Sequence, residues 1–263
     1  MRIRLFLGAT WIVSMGCGSP GKSTSASANT RATTAAIKVD TPGVSVLVYH
    51  SIAPHHPGQT LEQRVMDVDP AAFRDQMQYL AEEKYNVVPF SDIVDAVASH
   101  KTLPPHTVAL TFDDGWKTQY DFAVPILRQL HFPATFFVAT DEIESGPAFM
   151  TWDDLKKLKQ MGMTIAAHSR THPDLTDKGV PLSAEIDGSK QDIERYLGFT
   201  PDLFAYPYGA YDAKVVSVVR AAGFRGARAL AISPKLPPNV FAIRGVLATD
   251  AKPAFEHALT GLP

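Results

Sequence analysis

The chain has 263 residues, 45% hydrophobic and 20% charged, which is the balance of a soluble globular protein with room for one large α/β domain or two small ones. A formal net charge of -2 offers no electrostatic basis for general nucleic-acid binding. The one cysteine, Cys17, excludes an internal disulfide framework and leaves the folded region without a thiol for catalysis or metal binding.

The N-terminus explains that cysteine. Arg2 and Arg4 precede the apolar run Leu5 to Val13, which gives way to Ser14-Met15-Gly16-Cys17. Positive charge, a short apolar core and small residues before a cut form the pattern of a secretory signal, and the run is too short to span a membrane. A small residue directly before a lone cysteine also resembles a lipoprotein signal, in which Cys17 is acylated. Ser14 departs from that pattern, since leucine is commonest there, and an ordinary signal with an incidental cysteine is the alternative. The expectation is an exported protein of the cell envelope, held to the membrane by a lipid on Cys17. Residues 1–17 are then the signal, and residues 18–36, rich in Ser, Thr and Ala, a flexible linker. Residues 37–263 are then the folded domain.

Strand-like and helix-like segments alternate through that domain. Val44 to Tyr49, ending at His50, is β-branched and reads as a buried strand. Asp69-Pro70 opens a helix with Phe73, Met77 and Leu80 on one face. Thr107 to Phe112 is a second strand, followed by a helix over Tyr120 to Leu130 and a strand over Ala134 to Ala139. Thr151 caps a helix ended by Gly162. Met163 to Ala167 is a strand and Glu185 to Leu197 a helix. Leu203 to Tyr206 is a further strand, and Asp212 to Ala222 a helix closed by Gly223. Phe224 to Leu230 and Val240 to Val246 are weaker strands. Repeated strand–helix units with buried strands imply an α/β fold with a parallel sheet, and a (β/α) barrel above all.

Position then singles out the chemistry. His50, Asp113, Asp114, His168 and the Tyr206-Pro207-Tyr208-Gly209 turn all fall at C-terminal ends of expected strands, the rim that carries the active site in (β/α) barrels. Asp113-Asp114-Gly115 alone reads equally well as a turn. Adjacent side chains at a strand end diverge, however, so one carboxylate can bind a metal while the other faces a water. His168 and His172 are four apart, and Pro173 favours a loop over a helix there. An aspartate with two histidines suits Zn²⁺ and accommodates Co²⁺ or Ni²⁺. Judged alone, His50 is a satisfied core histidine, His55 and His56 are surface residues, and the Lys156-Lys157-Lys159 cluster is a solvated helix face. Trp152 suits a sugar-stacking or a packing role.

Thr111-Phe112-Asp113-Asp114-Gly115, His168-Ser169-Arg170-Thr171-His172 and Phe204-Ala205-Tyr206-Pro207-Tyr208-Gly209 together resemble three motifs of the polysaccharide deacetylases, carbohydrate esterase family 4 or NodB-homology domains. The resemblance covers about Val44 to Val246 and implies a distorted seven-stranded barrel. It also implies that Asp114, His168 and His172 hold a divalent metal, that Asp113 is the general base, and that Tyr208 lends its backbone N–H to an oxyanion site. Tyr206 and Tyr208 are the implied substrate contacts. In many members the acid histidine comes late in the chain, but His257 lacks a preceding strand, whereas Val48-Tyr49-His50 fits. That order resembles the circularly permuted branch, which includes deacetylases of poly-β-1,6-N-acetylglucosamine, and makes His50 the general acid. The family often carries an arginine where this chain has Ala205, and Arg244 is the expected replacement. The implied substrate is an amino-sugar polysaccharide, and no protein partner is implied. An O-acetyl esterase of the xylan type and a non-catalytic cell-surface carbohydrate-binding protein are the competing readings.

Overall fold

The computed structural model describes residues 44–230 and 239–260. The expected signal, the lipid-bearing Cys17 and the linker therefore lie outside the described residues. Among the described residues no helix is long and apolar enough to cross a membrane.

In chain order the elements are β1 (Val44–Tyr49), β2 (Ser51–Ile52), α1 (Leu61–Met66), β3 (Asp67–Val68), α2 (Pro70–Glu82), β4 (Asn86–Val88) and α3 (Phe90–Ala98). They continue with β5 (Thr107–Asp114), a π-turn (Gln119–Ala123) running into α4 (Val124–Gln129), β6 (Thr135–Val138), α5 (Trp152–Gln160) and β7 (Thr164–Ala167). The last are α6 (Leu182–Leu197), β8 (Leu203–Ala205), a 3₁₀ turn (Pro207–Gly209), α7 (Ala213–Ala221), β9 (Gly226–Leu230), β10 (Ile243–Leu247) and α8 (Lys252–Ala258).

All pairings in the main sheet are parallel, in the order β1-β10-β9-β8-β7-β6-β5, and β5 returns to pair with β1. Seven strands thus close a barrel, as expected. The distortion is local. β5 offers one edge to two partners, with β4 pairing to Thr107, Val108 and Ala109 and β6 pairing to Thr111 through Asp114.

Strand alternation divides the apolar residues into two sets. The inner set joins Val46, Ala109, Phe137, Ala166, Leu203, Ala205 and Ile243 from the strands to Phe90, Ile93 and Val94 of α3. The outer set packs Leu47, Leu110, Phe112, Phe136, Ile165, Phe204 and Ala229 among helix residues such as Phe73, Leu127, Leu155 and Val219. Helix boundaries follow local chemistry. Asp69 caps α2 ahead of Pro70, Thr151 and Asp154 form a reciprocal capping box on α5, and Asp212 caps α7.

Candidate active site

β5 runs two residues past its expected end, so Asp113 and Asp114 are its last residues, 3% and 4% exposed. Gly115 turns the chain at φ +91, and a Cβ there would come within 2.7 Å of Ile143 Cδ1. Only glycine fits both demands. The backbone then enters the π-turn. Pro125 has no N–H to offer the Asp121 carbonyl, and the Val124 N–H reaches back to Gln119 instead. This turn aims the buried Gln119 amide inward, where it donates to the carbonyls of His50 (2.8 Å) and Asp113 (2.5 Å). The ends of β1 and β5 are tied together by that one side chain.

Asp113 sits at the centre. Its Oδ2 accepts from the Arg228 guanidinium and lies 3.8 Å from both His50 Nε2 and His168 Nε2. Its Oδ1 is buried with no hydrogen-bond partner among the described residues. Burial pushes this carboxyl up, but Arg228 first, then His168 and His50, together with the Arg228 hydrogen bond, hold it below the ordinary carboxylate range.

Asp114 turns the other way, at φ 72. Its Oδ2 accepts from Trp116 Nε1 at 2.9 Å, which leaves Oδ1 buried and unpartnered. His172 Nε2 lies 3.3 Å and His168 Nε2 3.6 Å from Oδ1, and the two nitrogens are 3.2 Å apart. Tetrahedral ligands about 2.0–2.2 Å from a zinc ion stand roughly 3.3–3.5 Å from one another, so the three atoms already have the spacing of one face of such a site. The tautomer fits as well. His168 Nδ1 is 2.8 Å from the Ala205 carbonyl, which only accepts, so the proton is on Nδ1 and the Nε2 lone pair faces the cluster. Burial, ahead of the opposing pull of Asp113, lowers the His168 pKa to about 4 and keeps the ring neutral, the form a metal needs. Asp114, His168 and His172 therefore fit a divalent cation.

The histidine loop is shaped by α6. Glu185, 6% exposed, accepts the N–H groups of Arg170 (3.0 Å) and Thr171 (2.8 Å) and the Thr171 hydroxyl (2.7 Å). Ser169 Oγ accepts the His172 N–H, and both Ser169 and His172 adopt positive φ. The loop expected from Pro173 is present, and its form is set by these acceptors.

Two expected roles are corrected. The cation on Asp113 belongs to Arg228, not Arg244. Arg244 pairs in register with Ala229, whose side chain packs among the helices, so alternation turns it to the outer face. Arg228 pairs with Ile243 on one side and Ala205 on the other, both inner-face residues. It therefore stands on the same row as position 205, one strand over. Gly245 makes room for it, since a Cβ there would lie 3.1 Å from Arg228 Cδ and 2.5 Å from Val48 Cγ2. Tyr206, expected to touch substrate, is 1% exposed, donates its hydroxyl to the Phe241 carbonyl at 3.0 Å and stacks on Tyr211. It is a packing residue.

Tyr208 is different. It is 37% exposed at φ 58, with its ring 4.7 Å from that of His172. His55 is half-buried against Asp250, while His56, His257 and Lys156, Lys157 and Lys159 face solvent away from this cluster. Trp152 packs on Tyr196. Sequence reasoning missed Trp116, Gln119, Glu185 and Arg228. Only Arg228 left a signal there, as a charge inside an otherwise apolar strand, which must be paired once buried.

Comparisons with known proteins agree with this architecture. Residues 100–227 match the family model described as polysaccharide deacetylase; Arg228 lies one residue beyond that span and His50 well before it. YxkH of Bacillus subtilis (strain 168), assigned to the polysaccharide deacetylases, is 25% identical over 73% of this chain and 67% of its own length. Poly-beta-1,6-N-acetyl-D-glucosamine N-deacetylase of Escherichia coli (strain K12) is 30% identical over 42% of this chain, but the match spans only 19% of that enzyme. Among solved structures, the Streptococcus pyogenes deacetylase PplD, in complex with acetate, superposes with a TM-score of 0.73 at 24% identity, over 85% of this chain and 100% of that one. At that identity the likeness is one of fold. Residues 100–227 thus carry the match to the polysaccharide deacetylase family, and the barrel and the order of the motifs agree with it.

Proposed function

We propose that the protein is a metal-dependent N-deacetylase that releases acetate from N-acetylglucosamine units of a polysaccharide. The observation that carries this reading is the placement of Asp113, with a partner-free carboxylate oxygen, between the His50 ring and the Asp114–His168–His172 cluster. A binding protein has no need of a paired acid and base beside such a cluster.

A divalent cation held by Asp114, His168 and His172 supplies Lewis acidity, lowering the pKa of a water and drawing charge from the acetyl oxygen. Asp113, kept ionised by Arg228, removes the proton of that water through Oδ1 as the water attacks the acetyl carbon. The Tyr208 N–H is the proposed donor to the oxyanion that develops. The C–N bond then breaks, His50 delivers a proton to the departing nitrogen, and acetate and a free amine result. His50 Nε2 and Asp113 Oδ2 lie 3.8 Å apart, so the proposed acid and base face the same small space.

The name of the E. coli relative supports a β-1,6-linked polymer as substrate, and the N-terminal pattern supports an envelope location with a lipid on Cys17. The test is acetate release from β-1,6- and β-1,4-linked N-acetylglucosamine oligomers, with zinc and with chelator. Chelator should abolish release. Asp113→Asn and His50→Ala should each lower the rate about 10²- to 10⁴-fold, while zinc stays bound. Full activity in chelator would end the metal reading. Release from an acetylated xylan, with none from either oligomer, would move the assignment to an O-acetyl esterase.

A further inference from the structure

The metal ligands account for one oxygen of Asp114; the other is spoken for by a residue with no part in the reaction as proposed. Trp116 Nε1 donates to Asp114 Oδ2 at 2.9 Å, while Oδ1 faces His168 and His172 with no hydrogen-bond partner. We propose that Trp116 is a positioning residue of the metal site: its indole N–H fixes the Asp114 carboxylate so that Oδ1 alone is presented as a ligand atom.

The indole is itself firmly placed. Its ring stacks on Phe149 with centroids 4.6 Å apart and planes 23° from parallel. The segment carrying Phe149 is bound to the turn on both sides, by the Lys117 N–H to the Ala148 carbonyl and the Met150 N–H to the Gly115 carbonyl, each 2.8 Å. Residues 115–117 and 148–150 thus hold the donor between them just beyond the end of β5.

A carboxylate free to rotate about χ2 sweeps its two equivalent oxygens over a wide arc, and apart from the half-turn that exchanges them, rotation takes the ligand oxygen away from the two imidazoles. A directional N–H on Oδ2 removes that freedom before any ion arrives. The same logic already applies to His168, whose Nδ1–H is held by the Ala205 carbonyl. Two of the three ligands are therefore oriented by a second group, and hydrogen bonds of this kind commonly contribute about 10–100-fold to metal affinity.

This inference rests on the metal reading above, and the experiment separates the two. Zinc affinity of the full-length apo protein is measured by chelator competition for the wild type, for Trp116→Phe, and for a protein carrying β-(3-benzothienyl)alanine at 116. That analogue keeps the bicyclic stack on Phe149 and replaces the N–H with sulfur. Melting temperature in excess chelator is measured alongside. The expected result is a zinc Kd raised about 10–100-fold in both variants, with the analogue melting in chelator as the wild type does. Wild-type zinc affinity in the analogue overturns the positioning role and leaves the metal site standing. Absence of zinc binding by the wild type overturns both, and is a different result. If the phenylalanine variant melts early, the analogue alone gives the answer.

Discussion

Arg228 is the residue whose environment most constrains the site. It is 1% exposed, inside the barrel, and among the described residues its charge is matched by the carboxylate of Asp113 alone. Removing one partner of a buried ion pair leaves an uncompensated charge and costs about 3–5 kcal/mol. Arg228→Met should therefore lose both activity and that much stability in urea, and adding Asp113→Asn should recover much of the stability but none of the activity. A single-variant loss that the double variant does not relieve would mean that Arg228 acts through packing instead. The motifs around Asp113, Asp114, His168 and His172 were legible because each is a short run following an apolar strand. The partner of Asp113 was not, because choosing between Arg228 and Arg244 needs the register of β9 against β10, which one sequence does not display.

Elements carry the site through their ends. Glu185 of α6 accepts two N–H groups and a hydroxyl from the histidine loop. Glu185→Ala leaves those donors without acceptors, at about 1–3 kcal/mol per buried group, and hydrogen exchange at Arg170 and Thr171 should accelerate selectively. At the start of α5, burial pushes the Asp154 carboxyl up, yet the Thr151 backbone and side chain and Lys117 together hold it low. A carboxyl depressed in the folded state contributes stability that is complete above its unfolded pKa, about 3.9, and lost as pH falls through the folded value. Asp154→Asn should flatten the acid limb of a melting-temperature profile below about pH 4 and leave the neutral region parallel to wild type. The helices α2, α5 and α7 could be read from their caps and apolar stripes. The pieces α1, β2, β3 and β4 were invisible, being two to six residues long with no room for a period to show. The nine-residue α3 went unread for another reason: it follows β4 directly, and its apolar face packs against the inner row of strands rather than a helix layer.

At the scale of the molecule, the barrel was legible because strand–helix units repeat along the chain and candidate residues at the ends of four strands shared one rim. Which strands close it was not legible, since that depends on β1 pairing to both β5 and β10. Those two partners lie very different distances along the chain. Val44 to Tyr49 meets Thr107 to Phe112 after some sixty residues, but Leu47 and Val48 meet Val246 and Leu247 only after about two hundred. Ser45 is also hydrogen-bonded to the carbonyl of Ala258. The entropy of joining such remote segments delays their pairing. During folding the first strand thus has one edge satisfied and the other waiting. Pulse-labelled refolding should show this as two sets of β1 amides, alternate residues gaining protection early against β5 and the remainder late against β10. His50 rides on that strand and Arg228 lies in the last part of the barrel to be made. A nascent or truncated chain that already displays the three proposed metal-ligand positions, and has joined His50 to Asp113 through the β1–β5 pairing, therefore still lacks the Arg228 partner of Asp113, and the proposed site is complete only when the barrel shuts.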